Sequence, residues 1–334
     1  MNDKTYSVAH LRDLAMRVLM AHDVGSANAA FVADALIAAQ VDGHGGHGLS
    51  RLAAYSAQAA SGKVDGHAVP VLREVAPAAV RIDAANGFAY PAMVLAVDDL
   101  VGRATKTGIA AATVCRSHHF GAAGYHVEKL AAKGLIGLVF GNSPRAIAPW
   151  GGRKGVFGTN PIAFAAPRAD GAALLIDLSL SKVARGRVML AAKLGDAIPE
   201  GWALDRDGHP TTDAKAALEG TMLPMGGAKG AALVLMVEIL AAALSGAHFG
   251  YEASSFFEAE GAPPGVGQCL IAIDPAPFSG GGFAARLEAL LAEMLSQDGV
   301  RLPGARRLHA REAVQKDGVP VPNVLYDELV RLAG

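Results

Sequence analysis

The stretch Asp42–Leu52 reads Asp-Gly-His-Gly-Gly-His-Gly-Leu-Ser-Arg-Leu, and it gathers two imidazoles, a guanidinium, a hydroxyl and four glycines into eleven residues. Glycine lets a backbone turn through positive φ and come close to a ligand. Histidine is the side chain best suited to moving a proton near neutral pH. Arginine grips a carboxylate with two parallel hydrogen bonds. His47 and Arg51 are spaced i, i+4, so a helix that starts at His47 projects both from one face. The implied chemistry is a general acid beside a carboxylate anchor, acting on a small anionic substrate. The alternative is a surface histidine in a flexible turn, but an imidazole between two glycines gains nothing structurally. His44 reads as a surface residue or as a second proton carrier. No metal is expected, because His44, His47, His118 and His119 lack H-x-x-x-H spacing and no C-x-x-C supports them.

Gly43, Gly45 and Gly48 formally match G-x-G-x-x-G. That dinucleotide fingerprint needs a strand before it and a helix after it. What precedes here is helical: Val32, Ala35, Leu36 and Ala39 keep the i, i+3, i+4, i+7 rhythm, with Ser26 as the expected N-cap. The match is therefore a decoy.

Further along, Ser117-His-His-Phe-Gly121 lies where a strand hands over to a helix, whose N-terminal N–H groups suit an anion. A cofactor phosphate, a substrate contact or a buried histidine capping the turn all satisfy that pattern. Gly158-Thr-Asn-Pro161 joins a glycine-rich loop to a strand. Its hydroxyl and amide can address a carboxylate or a nicotinamide amide, or simply cap their own turn. Lys182, Arg185 and Arg187 follow Asp177–Ser181; they can read an adenosine 2′-phosphate or form a solvated charged face, the latter more for Arg187. Lys229, at a glycine-rich helix start, suits a phosphate, although no G-K-[ST] makes it a Walker loop.

The elements that must hold these residues are of both kinds. Among 334 residues, 51% are hydrophobic and 18% charged, so a large core forms without disulfides. With a net charge of −1 and no basic stripe, nucleic acid is not an expected partner. Cys115 and Cys269 are far apart and read as buried thiols of a reducing compartment. The first residues lack a signal-peptide apolar region, and the apolar run Ala231–Gly246 is broken by Glu238 and too short to span a bilayer. A soluble cytoplasmic protein with no membrane partner is expected. Helices are expected over Leu11–Leu19 (capped by Ser7), Ala27–Val41, Leu49–Ala60, Tyr90–Gly108, after Tyr125 as far as Lys133, Met225–Leu244, Phe283–Leu295 and Tyr326–Leu332. Strands are expected at Ala79–Asp83, Ile109–Val114, Leu135–Phe140, Ile162–Ala166, Ala173–Asp177 and Leu270–Asp274. The reading is a mixed α/β (α+β) chain. Residues 1–70 form a helical unit that carries the His-Arg stretch and packs with the tail 300–334, and residues 71–299 form a mixed α/β cofactor-binding region.

Several segments, taken together and in order, resemble the type-2 malate/L-lactate dehydrogenase family, which is distinct from the ordinary lactate dehydrogenases. They are Gly48-Leu-Ser-Arg-Leu with Tyr55, Ser117-His-His-Phe-Gly, Pro149-Trp-Gly-Gly with Gly158-Thr-Asn-Pro, Gly201-Trp-Ala-Leu-Asp205, Pro224-Met-Gly-Gly-Ala-Lys-Gly and Arg301-Leu-Pro-Gly. Asp177-Leu-Ser-Leu-Ser-Lys-Val-Ala-Arg-Gly186 and the pair His118-His119 are similar to the branch of Δ1-piperideine-2-carboxylate/Δ1-pyrroline-2-carboxylate reductases. The resemblance implies a non-Rossmann nicotinamide-binding fold, a homodimer and NADPH (or NADH) as cofactor. It also implies hydride transfer to the C=N of a cyclic imino acid, giving L-proline or L-pipecolate. It assigns His47 as proton donor, Arg51 as carboxylate ligand and Thr159 as a substrate contact. For the cofactor it assigns His119, Phe120, Gly121, Ala122, Ala123, Asp177, Leu178, Ser179, Arg185, Gly186 and Lys229, and in the tail Pro303, Gly304, Arg306 and Arg307.

One position departs from the family, which normally places serine before the catalytic histidine as its partner. Gly46 stands there and offers no side chain. His44, Ser50 or a water then substitutes, or the proton transfer is impaired, or the substrate is a different one that needs less help. A ketimine fits the latter, since an iminium is already polarised and its nitrogen arrives protonated. The rival expectations are a 2-hydroxy-acid/2-oxo-acid dehydrogenase (malate, lactate, ureidoglycolate or sugar-acid type) and a non-catalytic cofactor-binding homologue.

Overall fold

The computed structural model describes residues 4–334. A short strand β1 (Lys4–Tyr6) leads into α1 (Val8–Met20) and α2 (Ser26–Val41). The Ser7 hydroxyl accepts the His10 N–H at 3.1 Å and caps α1, whose Leu11, Leu14, Ala15, Val18 and Leu19 are all buried. The capping role expected of Ser26 falls instead to the backbone of Gly25, which makes no side-chain bond. The N–H of Gly25 donates to the Gly66 carbonyl, and that contact fixes where α2 begins.

Gly45–His47 and Leu49–Arg51 are two single 3₁₀ turns, and only then does α3 (Leu52–Ala60) start. The regular helix expected from Leu49 is delayed because Gly48 is pressed against Gln40. A Cβ at Gly48 would lie 2.4 Å from Gln40 Oε1.

The middle of the chain supplies β2 (Val71–Ala76), β3 (Ala79–Asp83), α4 (Ala89–Thr107), β4 (Ile109–Ser117), α5 (Ala123–Ala131), β5 (Ile136–Gly141), β6 (Ile162–Ala166) and β7 (Leu174–Leu178). There follow α6 (Arg185–Leu194), the short strands β8 (Ala203–Leu204) and β9 (Pro210–Thr211), α7 (Ala214–Glu219) and β10 (Thr221–Met222). Next come α8 (Ala228–Glu238), running on as a π turn over Ile239–Ala243, and β11 (Val266–Ile273). The chain closes with α9 (Pro275–Ser279), α10 (Phe283–Leu295), α11 (Ala305–Asp317), β12 (Val319–Val321) and α12 (Asn323–Ala333).

The main sheet has the order β2-β3-β4-β11-β5-β6-β7. Within it only β3 and β4 pair in parallel, joined by the crossover helix α4 that a parallel pair requires. β11 enters from far along the chain and lies between β4 and β5, buried on both faces. Helices α4 and α5 cover one face through Met93, Leu100, Val127 and Leu130. The region from α6 to the π turn covers the other through Val188, Val234 and Val237. A third core joins α1–α3 to β12 and α12, and β1 pairs antiparallel with β12.

Three features differ from the pattern in the sequence. α11 was not expected, because its surface is polar all round and ion pairs hold it. α8 does not continue as a regular α-helix to Leu244. On α10, Leu291 is buried, but Leu290 and Leu295, expected on the same face, are exposed. Among the described residues no helix is long and apolar enough to cross a membrane. Cys115 and Cys269 are both free and buried.

Candidate active site

The two 3₁₀ turns give His47 and Arg51 their relation. The His47 N–H donates to the His44 carbonyl at 2.8 Å, and the Arg51 Nε–H reaches back to the Gly46 carbonyl at 2.7 Å. Arg51 is thereby anchored beside His47 without a helix face. The outer part of its guanidinium remains free for a carboxylate, while the flat side lies over the Phe257 ring, 4.8 Å from its centroid. Neither ring nitrogen of His47 bonds to any described residue. A Cβ built on Gly46 meets nothing within 4 Å, so the space beside His47 is open.

His47 stacks on His119, with ring centroids 5.4 Å apart and planes inclined by 19°. His119 is buried at the end of β4, and its Nδ1 lies 2.5 Å from the hydroxyl of Tyr55, which in turn lies 3.1 Å from that of Tyr90. His118 is also buried and bonds through Nε2 to Gln58 Oε1 at 2.9 Å. Burial, reinforced by Arg51 and His44, lowers the His47 pKa to about 4. Burial with Lys63 and Arg51 lowers that of His118 to about 3. His119 is depressed well below its ordinary value, again by burial first and then by Arg51 and His47. All three imidazoles are neutral at pH 7. Loss of solvent raises the Tyr55 phenol to about 12, so it stays protonated and can donate to His119.

Thr159 is set by a second cluster. Its N–H donates to Ser143 Oγ at 3.1 Å, and its carbonyl accepts the Leu180 N–H at 2.9 Å. The next residue, Asn160, is held at φ +39°, an uncommon value for a non-glycine. It is fixed there because its Nδ2 donates to the Val234 carbonyl and to Glu238 Oε2, at 3.1 and 2.7 Å. Buried Glu238 also accepts Asn142 Nδ2 and the Gly250 N–H, at 3.1 and 2.7 Å. No sequence signal announced Glu238: it reads as the one interruption in an apolar helix.

A cavity of about 560 Å³ adjoins the start of the His-Arg stretch at Asp42, Gly43 and His44. It is lined by Asp42, Gly43 and His44 on one side, Leu175 and Asp177 of β7 on another, and Arg301 to Arg307 on a third. It therefore gathers Asp177 with Pro303, Gly304, Arg306 and Arg307 from two distant parts of the chain. Asp177 continues through Leu178 to Ser179, whose hydroxyl reaches the Thr159 carbonyl at 3.5 Å.

Asp177 also takes the anion position expected of a ligand at the start of α5, where its Oδ2 accepts the Gly124 N–H at 2.7 Å. Asp177 is exposed at the cavity wall, but the protein packed around that wall limits its hydration. That desolvation raises its pKa against the pull of Gly124, His44 and Arg307.

Arg307 is buried and paired with Glu128, which together with Asp42 also holds Arg311. Its Nε has no partner. Arg301 and Arg306 on the cavity wall form no ion pair among the described residues.

Other expected cofactor residues lie apart from this cavity. Phe120 turns into the core, where its ring fills the space over Gly141. Gly121 (φ +73°) packs against the Tyr90 hydroxyl, and Ala122 and Ala123 open α5. Arg185 and Gly186 start α6, with Arg185 Nη2 directed at the Leu218 carbonyl at 3.5 Å. Arg187 lies over the Trp202 ring. Lys229 is exposed in the first turn of α8, near Ser179 in the fold because Met225 N–H donates to the Leu180 carbonyl at 2.8 Å.

The non-Rossmann mixed sheet and the relatives that share it make the chain an oxidoreductase. The chain belongs to the malate/L-lactate dehydrogenase family, whose sequence profile matches residues 6–330. It is 51% identical to the (2R)-3-sulfolactate dehydrogenase (NADP(+)) of Chromohalobacter salexigens, over 97% of this chain and 96% of that one. It is 43% identical to the Δ1-pyrroline-2-carboxylate/Δ1-piperideine-2-carboxylate reductase of Pseudomonas putida, over 97% and 95%. The crystal structure of Δ1-piperideine-2-carboxylate reductase from Pseudomonas syringae superposes with a TM-score of 0.94 at 41% identity, covering 98% of this chain and 99% of that one.

Proposed function

We propose that the protein is an NADPH-dependent reductase of a cyclic imino acid, Δ1-pyrroline-2-carboxylate or Δ1-piperideine-2-carboxylate. The observation that carries this reading is the state of His47: neutral, without a protein partner at either ring nitrogen, and next to a glycine instead of a hydroxyl. A ketone becoming an alkoxide needs a strong donor as charge develops. A protonated ketimine brings its own proton, and a neutral imidazole suffices to hold and orient it.

The cavity suits a phosphate-bearing dinucleotide, given its volume, the unpaired Arg301 and Arg306 and the unsatisfied Nε of Arg307. When bound, NADPH supplies hydride to C2 of the substrate. Arg301, Arg306 and Arg307 would hold its phosphates, and Asp177 and Ser179 would orient the rest. Arg51 and Thr159 fix the substrate carboxylate, so positioning provides much of the rate. His47 holds the proton at the ring nitrogen.

A second reading, reduction of a 2-oxo acid to its hydroxy acid, is favoured by the 51% identity to the sulfolactate enzyme. The test is NADPH oxidation with the two cyclic imines beside pyruvate, oxaloacetate and 3-sulfopyruvate, with NADH as control. Rapid turnover confined to the imines supports the reductase. Turnover confined to the oxo acids replaces it with the second reading.

A homodimer accords with the outer face of α8 and its π turn, where Leu233, Leu235, Met236, Ile239 and Leu244 are all exposed. A cytoplasmic setting accords with two free buried thiols.

A further inference from the structure

A loop between the π turn and β11 passes behind the proposed site, and a buried cation holds it. Lys63 is 2% exposed, yet it has no carboxylate at its ammonium. Its Nζ donates instead to three backbone carbonyls of this one loop, those of Ser255, Glu258 and Glu260, at 2.7, 2.9 and 3.1 Å. Gln58 Nε2 adds a bond to the Glu258 carbonyl at 2.9 Å, and Ser61 Oγ one to that of Ala259 at 2.7 Å. Burying a lysine is costly unless each of its donors is used. Here all three are spent on the residues that flank Phe256 and Phe257.

Those two aromatics back the two polar groups of the site. Phe256, buried, packs against the rings of both His118 and His119, at 5.3 and 5.1 Å. His119 is the ring on which His47 lies. Phe257, 45% exposed, lies under the Arg51 guanidinium. Arg51 is thus fixed at two points, by the Gly46 carbonyl at Nε and by the Phe257 face.

We propose that Phe257 is a positioning residue for substrate carboxylate binding, orienting Arg51 through its ring, and that Lys63 acts through Phe257 by pinning the loop that carries it. The inference rests on the reading of Arg51 as the carboxylate ligand, but not on whether the substrate is an imine or an oxo acid.

The test is a double-mutant cycle between Arg51 and Phe257 in the full chain, read with whichever acid is turned over. Phe257→Leu should raise KM about three- to five-fold, with kcat and NADPH affinity within two-fold of the parent. Phe257→Tyr should restore KM, because the aromatic face is retained. In an Arg51→Lys background, Phe257→Leu should add little, since the planar group that it orients is gone. Lys63→Met should reproduce the rise in KM, and Phe257→Leu keeps the test intact if that variant does not fold. If Arg51→Lys raises KM but Phe257→Leu does not, or if the two effects simply add, Phe257 has no positioning role. If Arg51→Lys itself leaves KM unchanged, the reading of Arg51 fails instead.

Discussion

The imidazole of His119 lies nearly face to face with that of His47, and the hydroxyl of Tyr55 lies 2.5 Å from its far nitrogen. Two neutral rings therefore stand side by side. The inner one has its proton position set by a phenol that does not ionise near neutral pH. The outer one is left with unpartnered nitrogens toward the site.

His47→Ala should lower kcat by roughly a hundred-fold, the scale on which a mispositioned reacting group slows a reaction. NADPH affinity, measured by fluorescence titration, should stay within a few-fold. Unchanged turnover would remove His47 from the proton path.

Gly46→Ser should be accepted without loss of melting temperature, because its Cβ meets no atom within 4 Å. The added hydroxyl beside His47 should raise turnover of oxo acids more than that of cyclic imines. A variant that melts several degrees lower would show that the open space is needed by the fold.

Arg306→Ala should weaken NADPH binding by roughly ten-fold or more, the scale of one charge-assisted hydrogen bond, and reduce its salt dependence. Arg185→Ala, away from the cavity, should change affinity much less. The reverse order, measured by titration at two salt concentrations, would move the phosphate contact to α6.

Acid should destabilise the protein early. His47, His118, His119 and His126 all have pKa values depressed by burial, to about 4 for His126. Between the ordinary histidine value of about 6.5 and these lower ones, the unfolded chain binds protons that the folded chain refuses. Stability is therefore full above that ordinary value and falls as pH drops toward the folded pKa values, by at most about 1.4 kcal/mol per histidine per pH unit. A urea midpoint at pH 5 equal to that at pH 7 would contradict this.

Glu238→Ala should cost about 3 kcal/mol, since it removes one of the two acceptors of each of the Asn142 and Asn160 amides and leaves the Gly250 N–H unpaired. Turnover at the permissive temperature should fall as well, because Asn160 no longer holds the strained turn beside Thr159. Thermal melts and steady-state rates together check it.

The strands read most clearly from sequence: Ala79–Asp83 and Ile162–Ala166 match residue for residue, because short apolar runs between turn residues carry their own boundaries. β2 was not legible, since nearly all of its side chains are exposed and nothing alternates. α11 escaped because Arg307, Arg311, Glu128 and Asp42 secure it by charge across the fold instead of by an apolar stripe. In the site, His47 and Arg51 stood out by residue type and spacing. Their shared backing by Phe256 and Phe257 depends on Lys63 meeting a loop remote in sequence, a contact that no local pattern encodes.

The pairing of β1 with β12 has a consequence for how the molecule is made. The helical core beneath His47 includes Val319, Val321 and Leu329, which leave the ribosome long after α1 to α3. The large sheet can assemble once β11 has emerged. The unit carrying His47 and Arg51 must wait for β12, so such contacts of very long sequence separation are expected to form late. A nascent chain stalled before Val319 should then hold a formed sheet beside an unfinished N-terminal unit, open to proteases near Gly45 and Gly46.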